Sequence, residues 1–330
     1  MGEPGRVVAV EANFCRVQLA SPGPEGQAHL LCTARARLAK GGLGICVGDW
    51  VEVDGIDWGQ RRGAVARRGP RSNLLPRPAV ANVGRVVVVV SLKEPEPDPM
   101  QITRFLVSAE QRDLPVDLVL SKADGLPPGW LDDWCGRLVA WGYTPLPVST
   151  HTGAGLDLLA QHLAQPGISV LCGPSGVGKS SLLNALVPGL ALRVAAVSGR
   201  LQRGRHTTRH VELVPLPGHP EALLADTPGF NRPALPATPA ELVRCFPELR
   251  ALAHQRPCRF SDCRHSGESG CAIGEGWLRH ALYRQCLAEV ETAAATSGSA
   301  RAAETGLRKA SRRRRHLQRQ GDVTPPDLED

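Results

Sequence analysis

Apolar and polar positions alternate in short runs over residues 5–70, as in Arg6-Val-Val-Ala-Val10 and Asp49-Trp-Val-Glu-Val53, with Gly, Pro and Asp between them. A period of two with closely spaced turn residues predicts short strands closing into a small β-barrel. Near residue 80 the pattern changes. Apolar runs at Arg85 to Leu92, Val116 to Leu120, Thr144 to Val148, Ile168 to Cys172, His210 to Leu216 and Ala222 to Ala225 alternate with helical periodicity. Strands alternating with helices predict a mostly parallel sheet with crossover helices. The run Val86 to Val90 is too short for a membrane span, which needs roughly 18 to 20 apolar residues, and reads as a strand buried on both faces. After about Pro236 the pattern is helical, with an interruption over residues 258–271 and a helix expected over Gly276 to Thr292.

Charge changes the picture at two places. Arg61, Arg62, Arg67, Arg68, Arg71 and Arg77 crowd the exit of the barrel, which would give an oligonucleotide-binding barrel a positive rim; the plainer reading is an SH3-like or other small barrel. Only Phe14, Trp50 and Trp58 are available there for base stacking. Residues 301–320 hold eight Arg or Lys against one acid, Glu304, in a chain of net charge +7. Such a run attracts phosphate backbones without reading sequence, or is a solvated tail, and residues 301–330 are expected to be mobile. Ten scattered cysteines and an N-terminus without an apolar leader predict a reduced, cytoplasmic protein with no membrane segment.

The chemistry concentrates in four motifs, each at the end of an expected strand, where open α/β sheets bind ligands. Gly173-Pro174-Ser175-Gly176-Val177-Gly178-Lys179-Ser180, followed by Ser181, follows an apolar strand and opens a helix. Its glycines let backbone N–H groups turn toward phosphate oxygens, Lys179 would meet the β- and γ-phosphates, and Ser180 would ligate Mg²⁺. Asp226-Thr-Pro-Gly229 offers an acid for a Mg²⁺-bound water and a glycine N–H for the γ-phosphate. Between them Arg203-Gly-Arg-His206-Thr207-Thr208 reads as switch I, and one of its threonines would complete the Mg²⁺ shell. Upstream, Ser121-Lys122-Ala123-Asp124 carries the carboxylate that accepts from guanine N1–H and N2–H, so GTP is the expected ligand. Ser121 stands where asparagine is usual and is expected to forgo an amide that braces the loop and reaches the base. Ser149-Thr150 would bring a backbone N–H to guanine O6.

The guanine motif precedes the phosphate loop, the reverse of an ordinary GTPase, which predicts a circularly permuted GTPase. Catalysis is less legible. Phe230 follows Gly229 where many GTPases carry a water-orienting glutamine, leaving His206 to orient water or merely to pack switch I. Cys258, Cys263, His265 and Cys271 bring three thiols and an imidazole into fourteen residues, a donor set suited to a closed structural Zn²⁺ site; incidental buried cysteines are the alternative. Cys245 and Cys286 lack the spacing, and His254 and His280 read as surface histidines.

Together these motifs resemble the RsgA family of circularly permuted GTPases. The resemblance covers about 290 residues and implies a multidomain α/β chain: an OB-fold-like β-barrel over 1–78, a permuted P-loop GTPase domain over 79–236 and a helical zinc-binding domain over 237–300. It further implies GTP hydrolysis stimulated by the small (30S) ribosomal subunit, contact with 16S rRNA during late subunit maturation, and His206 as the catalytic group. A monomer is expected, with no DNA partner. Competing readings are an RNA-binding assembly scaffold that holds GTP without turning it over, and an ATP-driven transport or repair protein, which Asp124 disfavours.

Overall fold

The computed structural model describes residues 2–11, 13–35, 38, 44–76, 79–190, 211–226 and 233–296. The alternating N-terminal runs form β1 (Glu3–Glu11), β2 (Phe14–Leu19), β3 (His29–Ala34), β4 (Trp50–Asp57) and β5 (Arg62–Arg68). They close into a barrel in the order β1-β2-β3-β5-β4, antiparallel except for the β3–β5 pair. Inward residues at every second position, Val7, Cys15, Val17, Leu30, Cys32, Val51, Val53 and Val65, fill its interior. Burial pushes the Cys15 and Cys32 thiols up to about 11 and about 12, which makes them packing groups. A hairpin of β6 (Leu74–Pro76) and β7 (Ala79–Ala81) leads into the central sheet.

That sheet runs β10 (Pro145–Pro147), β9 (Val116–Ser121), β8 (Val83–Ser91), β11 (Gly167–Cys172), β13 (His219–Asp226) and β12 (Leu213–Leu216). Only β12 is antiparallel to its neighbour. The valine run of β8 divides as its pleat requires: Val86, Val88 and Val90 enter one apolar cluster, Val87 and Val89 the other. Helices α1 (Pro99–Glu110) and α2 (Trp130–Ala140) cover the first face, and α3 (Leu156–Leu163) and α4 (Lys179–Leu186) the second. Asp98 caps α1 by accepting from Met100 N at 2.9 Å, with Pro99 in its first turn.

Beyond the sheet lie α5 (Pro239–Arg244), α6 (Pro247–Gln255) and α7, helical over residues 280–296. Helix α7 begins later than the expected Gly276, because residues 277–279 form a turn that inserts Trp277 and Arg279 between the helices. Thr238 and Glu241 close a capping box at the start of α5. Among the described residues no helix is long and apolar enough to cross a membrane.

The rim reading needs correction at Arg71, while Arg61, Arg62, Arg67 and Arg68 are exposed. Arg71 does not face outward: its Nε and Nη2 donate to Asp49 Oδ1 and Oδ2 at 2.6 and 2.7 Å, and Nη2 also donates to Gly44 O at 2.7 Å. Asp49 is fully buried and accepts from Cys46 N as well, so Arg71 is a structural clamp on the loop before β4. Arg67 pairs with Glu52, and Arg77 lies outside the described residues. Of the candidate stacking aromatics, Phe14 and Trp50 are exposed, and the Arg6 guanidinium already lies 4.0 Å from the Trp50 ring centre.

Candidate functional site

Strand register brings the separated motifs to one edge. In the parallel ladders Ser121 lies opposite Ser91, Pro147 opposite Leu120, Cys172 opposite Val88 and Asp226 opposite Leu171. The chain therefore leaves β9, β10, β11 and β13 at the same carboxyl-end edge, and β11, which feeds the phosphate loop, lies in mid-sheet.

The phosphate loop owes its path to glycine at two positions. Gly173 has φ +142°, and a Cβ there would sit 2.2 Å from the Val89 carbonyl oxygen. Gly178, at φ +92°, turns the chain into α4, whose N-terminal end faces the loop. Lys179 Nζ donates to the carbonyls of Gly173 and Pro174 at 2.8 and 2.7 Å, holding its ammonium against the loop. Val177 is buried beneath, and burial pushes the neighbouring Cys172 thiol up to about 12.

The guanine motif is attached to this loop directly. Ser121 Oγ lies 2.5 Å from Val177 O and 3.1 Å from Val90 O, and Lys122 Nζ donates to Gly176 O at 3.0 Å and to the Glu94 carbonyl. The expected absence of a brace at Ser121 is thus corrected, since the shorter hydroxyl reaches the P-loop because the two backbones pass close together. Asp124 is oriented by Ser149, whose Oγ donates to Oδ1 at 2.6 Å. This bond, first among its causes, lowers the Asp124 pKa below the usual carboxylate value. Ser149 Oγ in turn accepts from the N–H groups of His151 and Thr152, at 3.2 and 3.1 Å. The Ser149 N–H donates to Ala154 O, whereas the Thr150 N–H has no partner among the described residues. Neither the Ser121 to Val177 contact nor the side-chain role of Ser149 has a signal in the sequence, because the partners lie 56 and 25 residues away.

His206, Thr207, Thr208, Gly229 and Phe230 lie outside the described residues, as does the basic tail 301–330. For Asp226 the backbone alone is described.

The four cluster residues also converge. His265 Nδ1 lies 3.5 Å from Cys258 Sγ, 3.6 Å from Cys263 Sγ and 3.8 Å from Cys271 Sγ, and all four donor atoms fall within 4.8 Å of one another. Zinc bonded to sulfur at about 2.3 Å and to nitrogen at about 2.0–2.1 Å in a tetrahedron would separate S and N by about 3.6 Å, so donor chemistry and spacing are both compatible with zinc. His265 is buried and held at φ +54°, a backbone region costly for a non-glycine residue, which the loop tolerates in order to turn the ring inward. Glu268 fastens the loop by accepting from the backbone N–H of Arg264 and, at 2.7 Å, of Ser266. Cys245 and Cys286 lie apart, in the apolar core of the helical unit. His254 is exposed as expected, whereas His280 is half-buried with its ring 5.7 Å from that of Trp277.

Comparison with known proteins agrees with this geometry. A family model described as RsgA GTPase matches residues 68–236. A protein named small ribosomal subunit biogenesis GTPase RsgA, from Synechococcus sp. (strain CC9605), is 54% identical over 286 residues, covering 86% of this chain and 93% of that relative. The crystal structure of YjeQ from Thermotoga maritima is similar with a TM-score of 0.72 at 31% identity, covering 88% of this chain and 99% of that one. YloQ, described as a circularly permuted GTPase, gives a TM-score of 0.69 at 26% identity, over 88% and 96% of the two chains.

Proposed function

The chain belongs to the RsgA family of circularly permuted GTPases, and from that premise we propose that it hydrolyses GTP to GDP and phosphate on the small ribosomal subunit during late maturation. The observation that most supports this reading is the hydrogen-bonded union of the guanine motif with the phosphate loop, through Ser121 to Val177 and Lys122 to Gly176. The base-reading and phosphate-holding loops lie 56 and 54 residues apart at these two contacts and yet are hydrogen-bonded to each other.

In this reading Asp124, preset by Ser149, accepts from guanine N1–H and N2–H, and the N–H of Thr150, without a partner among the described residues, meets O6. The backbone of 173–178 and Lys179 hold the phosphates, with Gly229 N–H at the γ-phosphate. Mg²⁺, held by Ser180 and a switch I threonine with Asp226 behind a bound water, would offset charge developing on the phosphate oxygens. His206 orients the water that attacks the γ-phosphorus as the bond to the β-phosphate oxygen breaks. The cluster Cys258, Cys263, His265 and Cys271 holds a structural zinc. We further propose that the protein works in the cytoplasm as a monomer and contacts 16S rRNA.

The test is the GTP hydrolysis rate of the purified protein, alone and with saturating small subunits, with ATP and large subunits as controls. Strong stimulation by small subunits alone is expected, and His206→Ala should reduce the stimulated rate by about 100-fold or more, the usual worth of a positioned acid or base. Tight GTP binding without stimulation would favour a nucleotide-bound RNA scaffold instead.

A further inference from the structure

The hydroxyl of Ser121 has a single hydrogen to donate. Its two hydrogen-bond partners among the described residues, Val177 O at 2.5 Å and Val90 O at 3.1 Å, are both carbonyl oxygens and can only accept. The hydrogen is therefore committed to the protein, and Val177 O is the closer acceptor. Ser121 is 4% exposed and Val177 1%, so water does not compete for that bond. Guanine presents two acceptors, N7 and O6, on the edge away from Asp124. A hydroxyl whose only hydrogen is spent on a carbonyl cannot donate to either. An asparagine amide has two hydrogens and could brace the loop with one while offering the other to the base.

We propose that Ser121 is a positioning residue that ties the base-reading loop to the phosphate loop and takes no part in reading guanine. Base choice then rests on Asp124, Lys122 and the loop at residues 149–150. The chain should accept guanine nucleotides in which N7 is replaced by C–H. This rests on the guanine-nucleotide reading above and refines its specificity.

The experiment measures the affinities of GTP and 7-deaza-GTP for the full chain and for Ser121→Ala, Ser121→Thr and Ser121→Asn, with the melting temperature of each variant recorded alongside. The wild-type protein should bind the two nucleotides within about two-fold of each other. Ser121→Ala should weaken both by about five-fold, the worth of one modest hydrogen bond, leaving their ratio unchanged. Ser121→Thr, which keeps the hydroxyl, should restore both. Ser121→Asn, if folded, should newly prefer GTP. A wild-type preference for GTP of five-fold or more that Ser121→Ala abolishes would show that Ser121 reads the base. Unchanged affinities in Ser121→Ala would remove the brace. A wild-type protein that bound neither nucleotide would overturn the guanine reading itself, and this inference with it.

Discussion

The GTPase sheet has a neighbour on each side, and the two seams are built differently. On the barrel side the cores merge. Val8 of β1 and Val47 of the clamped loop belong to the same apolar cluster as the sheet residues Val86, Val88 and Val90, together with Leu75 and Val80 of the hairpin. Backbone pairing crosses this seam as well, with Ala9 bridged to Glu212 and Val47 to Val80. On the helical side most of the core is separate: Leu242, Phe246, Leu249, Tyr283, Cys286, Leu287 and Val290 form their own cluster, which the GTPase domain enters through Val107 and Met100 of α1, while Leu282 of α7 packs against the sheet cluster.

What crosses the helical seam is mostly charge. Arg250 pairs with Glu110 at 2.9 Å, Arg104 with Glu289, and Gln111 donates to Ala234 O. Arg279 is fully buried, with its guanidinium 4.7 Å from the Trp141 ring centre and 4.5 Å from that of Phe246, and it forms a two-pronged pair with Glu248 at 2.6 and 2.7 Å. One cation thus pins an aromatic of the GTPase domain to one of the helical unit. The difference teaches which unit can move. Barrel and sheet should unfold together, because separating them would open a shared core, whereas the helical unit has a core and a Cys3His cluster of its own and should respond separately.

The largest effect should come from the cluster. Removing the proposed zinc with a chelator, or making Cys258→Ser, should disorder the helical unit at a cost on the order of 10 kcal/mol, the scale of structural zinc in small domains. Calorimetry should then show one transition lost or lowered and the barrel–GTPase transition in place; simultaneous loss of both would break the contrast.

Next, Arg279→Met leaves the Glu248 carboxylate buried without its partner and should destabilise the helical transition by about 3–5 kcal/mol. Denaturant melts of the single variant and of Arg279→Met with Glu248→Gln should show the double variant recovering part of that loss.

The smallest of the three is Asp49→Ala, expected to cost about 3 kcal/mol because Arg71 keeps the Gly44 carbonyl and some access to water. Its loss should appear in the joint barrel–GTPase transition, and a shift confined to the helical unit would contradict the shared core. The Arg16 to Glu212 pair, about half exposed on both sides, should add little to this seam.

Much of this was legible before folding. The phosphate loop is continuous in sequence because cradling phosphate requires successive N–H groups of one turn. The four cluster residues fall within fourteen residues, the spacing a loop without a core would need to close on a metal. The inverted order of the motifs alone disclosed the permutation, and the valine run alone disclosed a strand buried on both faces. Those features depend on neighbours along the chain, and periodicity and spacing record such neighbours.

Tertiary structure decided what depends on distant partners. Ser121 looked like a missing brace until Val177, 56 residues on, lay within 2.5 Å. Arg71 looked like part of a basic rim until Asp49 and Gly44 closed around it, and Arg279 gave no sign of its cage of Trp141, Tyr143 and Phe246. In each case the residue type specified a donor or a charge, while its acceptor was chosen by how strands and helices packed. A side chain's chemistry belongs to the sequence; its partner, and hence its function, is set by the packing that brings the two within about 3 Å.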